Sequence, residues 1–253
     1  MAAISTKSVV STCRHRALII GNANYRNGRT LRLCLENVRD INEKLIKIRF
    51  ETTLVMDLNC DQMDSVIEEF TRSISPGDLV LFFFSGYGIH VENKNFLLPI
   101  DDNKITSHSV ITYQAINIQD LSQAIVDRSP SSAVLILDAC RSYRMSFIAG
   151  SLSLEEYGGF SEINPPPGIF IILPCQPNHV LPDTTKNSRN TSFVARLLQH
   201  IDQANVHLNH LIDIITKEIT YDNTDEPPPY RVSSILKNVY LNYQIQTGNE
   251  RKD

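Results

Sequence analysis

Residues 79–90 read LVLFFFSGYGIH. Six apolar residues run without interruption into Ser85-Gly86-Tyr87-Gly88. A strand with one wet face alternates apolar and polar side chains. A run with no alternation belongs to a strand covered on both faces, as in a parallel sheet sandwiched between helices. In such sheets ligands gather outside the carboxyl ends of the strands. The glycine-flanked tyrosine stands at such an end, so residues 85–88 are the first place to look for chemistry.

The rest of the chain agrees with an α/β reading. Upstream, Arg16 to Gly21 (RALIIG) is a short apolar run ended by glycine, followed by the turn residues NANYRNGRT. Leu35, Val38, Ile41, Leu45 and Ile48 recur at helical spacing, and Phe50 to Met56 reads as a second strand. Met63, Val66, Ile67 and Phe70 mark a second helix over 61–74. Downstream, NFLLPID is a short strand, 117–127 a helix, and Ala133 to Leu137 (AVLIL) another buried strand that ends in Asp138-Ala139-Cys140. Residues 144–168 lose periodicity and finish in three prolines, which predicts a long linker loop. A strand over 168–173, helices over 190–200 and 207–219, and a last strand over 235–241 complete the expectation. Alternating strands and helices predict about six mostly parallel strands with helices on both faces. The predicted organisation is a flexible tail (1–14), one domain (15–243, divided as 15–143, linker 144–167 and 168–243) and a tail (244–253).

Composition narrows the class. The chain has 253 residues, 42% hydrophobic and 21% charged, as in ordinary globular proteins. A net charge of −4 gives no reason to expect nucleic acid or an anionic membrane as partner. No apolar run approaches the roughly 18 residues of a membrane span. Five cysteines, with no CxxC pair, predict neither a zinc site nor a disulfide framework and fit a reducing, cytoplasmic compartment. No cofactor or metal is expected: His207 and His210 lack a third ligand, Asp101-Asp102 is too few oxygens for calcium, and the IGNANY turn lacks the later glycines of a dinucleotide loop.

Two segments carry unusual chemistry, 85–88 and 138–141. A cysteine behind a buried strand is more often inert core than nucleophile, and a free thiol of pKa about 8.5 needs a base to act at neutral pH. Gly86 and Gly88 have two readings, a turn needing positive φ or a loop whose N–H groups approach a substrate. Lone loop histidines such as His90 and His179 are ordinarily solvated.

Taken in order, RALIIGNANY, the LCLENVRDI helix, FFFSGYG, NFLLPID and VLILDACR resemble the caspase-type cysteine peptidase domain, in its metacaspase/paracaspase branch. The resemblance is strong over 15–145 and weaker beyond. It implies a nucleophile at Cys140 and an oxyanion hole from the N–H groups of Gly88 and Cys140. Such enzymes place the catalytic histidine about 50 residues before the cysteine. Tyr87 stands there, where the family motif is Ser-Gly-His-Gly. A phenol of pKa about 10 is protonated at neutral pH and is a poor base for a thiol. Asp138, two residues before the cysteine, resembles the branch that selects basic substrates. Its companion acid aligns with Asn37, beside Glu36, and a third position falls at Pro182 or Asp183. Asp138 also has a purely structural reading, as anchor of the Cys140 segment.

The leading expectation is a caspase-like domain with impaired peptidase activity that works by binding a peptide, a protein or a related caspase-like chain. The last strand is a candidate for homodimer contact. The alternative is an unconventional endopeptidase cutting after Arg or Lys in proteolytic signalling or cell death, with His90 or His179 as base. A small-molecule-binding flavodoxin-like domain leaves the ordered motifs unexplained.

Overall fold

The computed structural model describes residues 13–27, 29–145, 155–181, 188–222 and 227–244. The chain order begins β1 (His15–Gly21), α1 (Arg32–Lys47), β2 (Glu51–Met56), α2 (Cys60–Ser73), β3 (Leu79–Ser85), β4 (Gly88–Val91) and β5 (Lys94–Leu97). It continues with α3 (His108–Gln114), β6 (Ile116–Asn117), α4 (Ile118–Val126), β7 (Ser132–Asp138), β8 (Ser142–Met145) and β9 (Glu155–Gly158). It closes with β10 (Ile169–Leu173), α5 (Ser192–His200), α6 (Leu208–Tyr221) and β11 (Tyr230–Ser233).

The main sheet has six strands in the order β11-β10-β7-β3-β1-β2. Its pairs are parallel except β10–β11. β3 lies between β1 and β7, and all seven of its residues are buried. The lack of alternation in LVLFFF follows from the layers on either side. Leu81 and Phe83 join one cluster with Val38, Ile41 and Leu45 of α1, Leu197 of α5 and Ile215 of α6. Val80, Phe82 and Phe84 join the other, with Met63 and Phe70 of α2 and Leu121 and Ile125 of α4. Period-2 geometry divides one continuous apolar run between two helix layers. Burying each of these side chains contributes about 1.5–3 kcal/mol.

Local chemistry fixes the helices over the strands. Asn59 begins α2 with a capping box: its side chain accepts from the Gln62 N–H while the Gln62 side chain accepts from the Asn59 N–H. Asn117 caps α4 by accepting from Gln119 N and Asp120 N. α1 lies so near the end of β1 that a Cβ on Gly21 would stand 2.7 Å from Val38 Cγ2.

Three expectations change. The last strand is Tyr230–Ser233, not 235–241. β10 offers partners from Phe170 to Leu173, and past Ser234 N, which donates to Ile169 O, the chain has left the sheet. Residues 235–241 keep one isolated bridge, Tyr240 to His207. The linker is not all loop: β9 pairs antiparallel with β8, and Phe160 and Ile163 are buried. Helix α3 was not foreseen, because His-Ser-Val-Ile-Thr-Tyr-Gln is β-branched and aromatic and buries only Ile111. Among the described residues no helix is long and apolar enough to cross a membrane.

Candidate active site

β3 and β7 run parallel with Ser85 opposite Asp138. The two segments singled out above therefore leave neighbouring strands at the same sheet edge. Cys140 is only 2% exposed. Its thiol pKa is pushed well above the ordinary range by a hydrogen bond with the Cys175 thiol, by burial and by the nearby charge of Asp138, with Arg141 opposing. Cys175, just beyond β10, is buried too and donates onward to the His179 carbonyl at 3.3 Å. The Cys140 carbonyl accepts from Leu181 N at 2.8 Å.

A short segment, Gly159 onward, packs beside this cysteine. Gly159, at φ +61°, brings its backbone against the His179 carbonyl and has its Cβ direction aimed toward Cys140, 3.9 Å from Cβ. Phe160 is fully buried, and a Cβ on Gly88 would stand 2.2 Å from its Cζ. Hydrogen bonds hold the segment down. Asn95 Oδ1 accepts from Ser161 N at 2.8 Å, Asn178 N donates to Phe160 O at 2.7 Å, and His90 Nδ1 lies 3.2 Å from Gly159 O. The Gly88 N–H, expected to face a substrate oxyanion, donates to Ala139 O at 3.0 Å.

Neither Gly86 nor Gly88 has positive φ. Glycine is required there by close approach: a Cβ on Gly86 would stand 2.5 Å from the Tyr25 hydroxyl. That hydroxyl accepts from Tyr87 N at 2.9 Å. The Tyr87 ring turns into an aromatic group, edge-on to Tyr25 and to Tyr143 with ring centroids 4.8 Å away in each case. Its hydroxyl donates to Arg29 O at 3.4 Å. Tyr143 Oη donates to Asp102 Oδ2 at 2.5 Å, and Asp102 Oδ1 accepts from Arg26 N and Asn27 N. Tyr87 thus belongs to a different apolar cluster from Cys140.

Asp138 is 2% exposed. Its Oδ2 accepts from Ser85 Oγ at 2.7 Å, Asn37 Nδ2 at 2.9 Å and Arg141 Nη2 at 3.0 Å, with Thr191 Oγ1 at 3.4 Å. The structure thus unites Asp138 with Asn37, which also accepts from Thr191 N at 3.1 Å. Glu36 turns elsewhere, to Arg39 at 2.6 Å and Arg189 at 2.9 Å, and Arg189 grips Asp40 in a two-pronged pair. Asp183 lies outside the described residues. His179 is exposed, its Nδ1 3.0 Å from Pro177 O. His207 caps α6 by accepting from His210 N. No group of three metal ligands occurs among the described residues.

Sequence reasoning missed Phe160, Cys175 and the partners of Tyr87. The one signal available was Gly158-Gly159-Phe160, an aromatic behind paired glycines in a stretch read as linker.

Comparison with known proteins matches residues 14–240 to the family model described as "Caspase domain". This chain belongs to the caspase-domain family. It is also similar to the human mucosa-associated lymphoid tissue lymphoma translocation protein 1, 29% identical over 126 residues, which is 49% of this chain and 15% of that protein. The mouse homologue is 28% identical over 126 residues, 49% of this chain and 14% of its own length. The chain therefore covers a small part of the relatives it matches. Its six-stranded, mostly parallel sheet with helices on both faces is the fold expected of the caspase-domain family.

Proposed function

We propose that this caspase-like domain works by binding rather than by peptide hydrolysis, with Cys140 at the nucleophile position and Tyr87 at the histidine position. The observation that carries the reading is the burial of Cys140, with Gly159 packed beside it and its thiol pKa raised. Thiolate is the nucleophilic form, and a raised pKa leaves little of it at neutral pH. Tyr87 faces Tyr25 and Tyr143. Loss of the base from such a dyad costs roughly 10³–10⁶ in rate.

The partner is a protein segment or a related caspase-like chain in the cytoplasm. β11 lies at the edge of the sheet, and an edge strand can extend pairing to another chain, a second copy included. The test is hydrolysis of fluorogenic peptides ending in Arg, Lys or Asp by the native protein and by Cys140→Ala. The expected result is no difference between the two. Hydrolysis by the native protein that disappears in Cys140→Ala overturns the reading.

A further inference from the structure

The Asp138 network contains a cation of its own. Arg141 is 6% exposed, and its guanidinium lies within the chain. Nη1 donates to Gly86 O at 2.8 Å and to Asp138 O at 2.5 Å, while Nη2 donates to Asp138 Oδ2 at 3.0 Å. Two backbone carbonyls and a carboxylate, converging on one planar fork, are the acceptors that suit a guanidinium. They come from the ends of β3 and β7, and Asn37 of α1 and Ser85 support the same carboxylate oxygen.

We propose that the Asp138 pocket is a guanidinium-binding site that the chain fills with its own Arg141. An arginine side chain from outside would have to displace Arg141 from these three acceptors at the cost of those bonds. The exchange replaces like with like and leaves no surplus for binding. The native pocket therefore does not select basic ligands, although its carboxylate is in place. With the Arg141 side chain removed, the same acceptors take a small planar cation from solution. This inference is independent of whether Cys140 turns over.

The test compares native protein, Arg141→Ala and the double variant Arg141→Ala/Asp138→Asn. Thermal melting is followed with N-ethylguanidinium, and with ethylammonium at equal ionic strength as control. Arg141→Ala is expected to melt below the native protein and to recover, saturably, more than half of the lost temperature with N-ethylguanidinium. Ethylammonium is expected to give less than a third of that recovery. The native protein and the double variant are expected to respond equally to the two salts. Arg141→Gln, which keeps donors near both carbonyls, carries the same comparison should Arg141→Ala fail to accumulate. Equal responses of the variant to both cations, or guanidinium-specific stabilisation of the native protein or of the double variant, overturn the proposal.

Discussion

Phe160 lies against Gly88 so closely that residue 88 has no room for a Cβ: the atom would meet the ring at 2.2–2.3 Å. The contact joins the segment before β10 to the first residue of β4, near the sheet edge where Cys140 sits. Phe160→Ala is expected to cost about 3–5 kcal/mol of stability, as for other buried aromatics. It is also expected to raise the rate of Cys140 alkylation by iodoacetamide in the folded protein. Unchanged labelling, followed by mass spectrometry of the Cys140 peptide, would contradict that expectation.

Tyr87→His by itself is expected to leave hydrolysis of Arg, Lys and Asp peptides undetected. The residue 87 side chain faces Tyr25 and Tyr143, and the Cys140 thiol stays buried. Loss of the two ring contacts is expected to lower stability by about 0.5–1.5 kcal/mol per aromatic pair. Urea unfolding reads the second effect and the peptide assay the first.

Tyr143→Phe removes the hydroxyl that donates to Asp102. A hydrogen bond to a charged group is worth about 1.5–3 kcal/mol. The variant is expected to unfold at correspondingly lower urea, while Tyr113→Phe, on a side chain 80% exposed, is expected to be neutral.

Buried thiols give the stability a dependence on alkaline pH. The Cys140 pKa is raised in the fold, and Cys60 is pushed up to about 12 by burial and by Asp64, Asp101 and Asp61. The folded state therefore keeps protons that the unfolded chain releases. Their contribution is intact below the unfolded value of about 8.5 and declines as pH rises above it toward the folded values. Melting temperature is expected to fall between pH 8 and 10, and less steeply in Cys140→Ala/Cys60→Ala. An identical slope in that variant would show that other groups govern the decline.

Asp138→Asn takes the Asp138 carboxylate away from the buried Arg141. Breaking one side of a buried pair costs about 3–5 kcal/mol. The loss is expected to exceed that of Asp202→Asn, whose partners Lys44 and Lys47 reach solvent.

The strands were legible because buried parallel strands write themselves as unbroken apolar runs. LVLFFF, AVLIL and GIFIIL all became central strands. The helices α1 and α2 were legible from spacing. The last strand was misplaced because edge pairing depends on what the neighbouring strand offers, and YRVS and SSILKNVY carry similar β-propensity. At the site, the sequence placed Asp138 beside Asn37 but could not assign side-chain direction. Backbone position puts Tyr87 at the sheet edge, whereas packing with Tyr25 and Tyr143 decides where its ring goes. The packing of Phe160 was hidden for a similar reason: burial of a single aromatic in an aperiodic stretch leaves no pattern to read.

Gly21 sets a gauge for the whole site. With no side chain of its own, it lets α1 settle at a spacing that any larger residue would widen, since Val38 Cγ2 stands 2.7 Å from where a Cβ would begin. Asn37, the residue before Val38, reaches Asp138 at 2.9 Å from that berth. The same berth lets Asn37 accept from Thr191, the N-cap residue of α5. A methyl group added at the end of the first strand would act like a shim beneath a lever, lifting one helix away from both the carboxylate and the second helix it steadies.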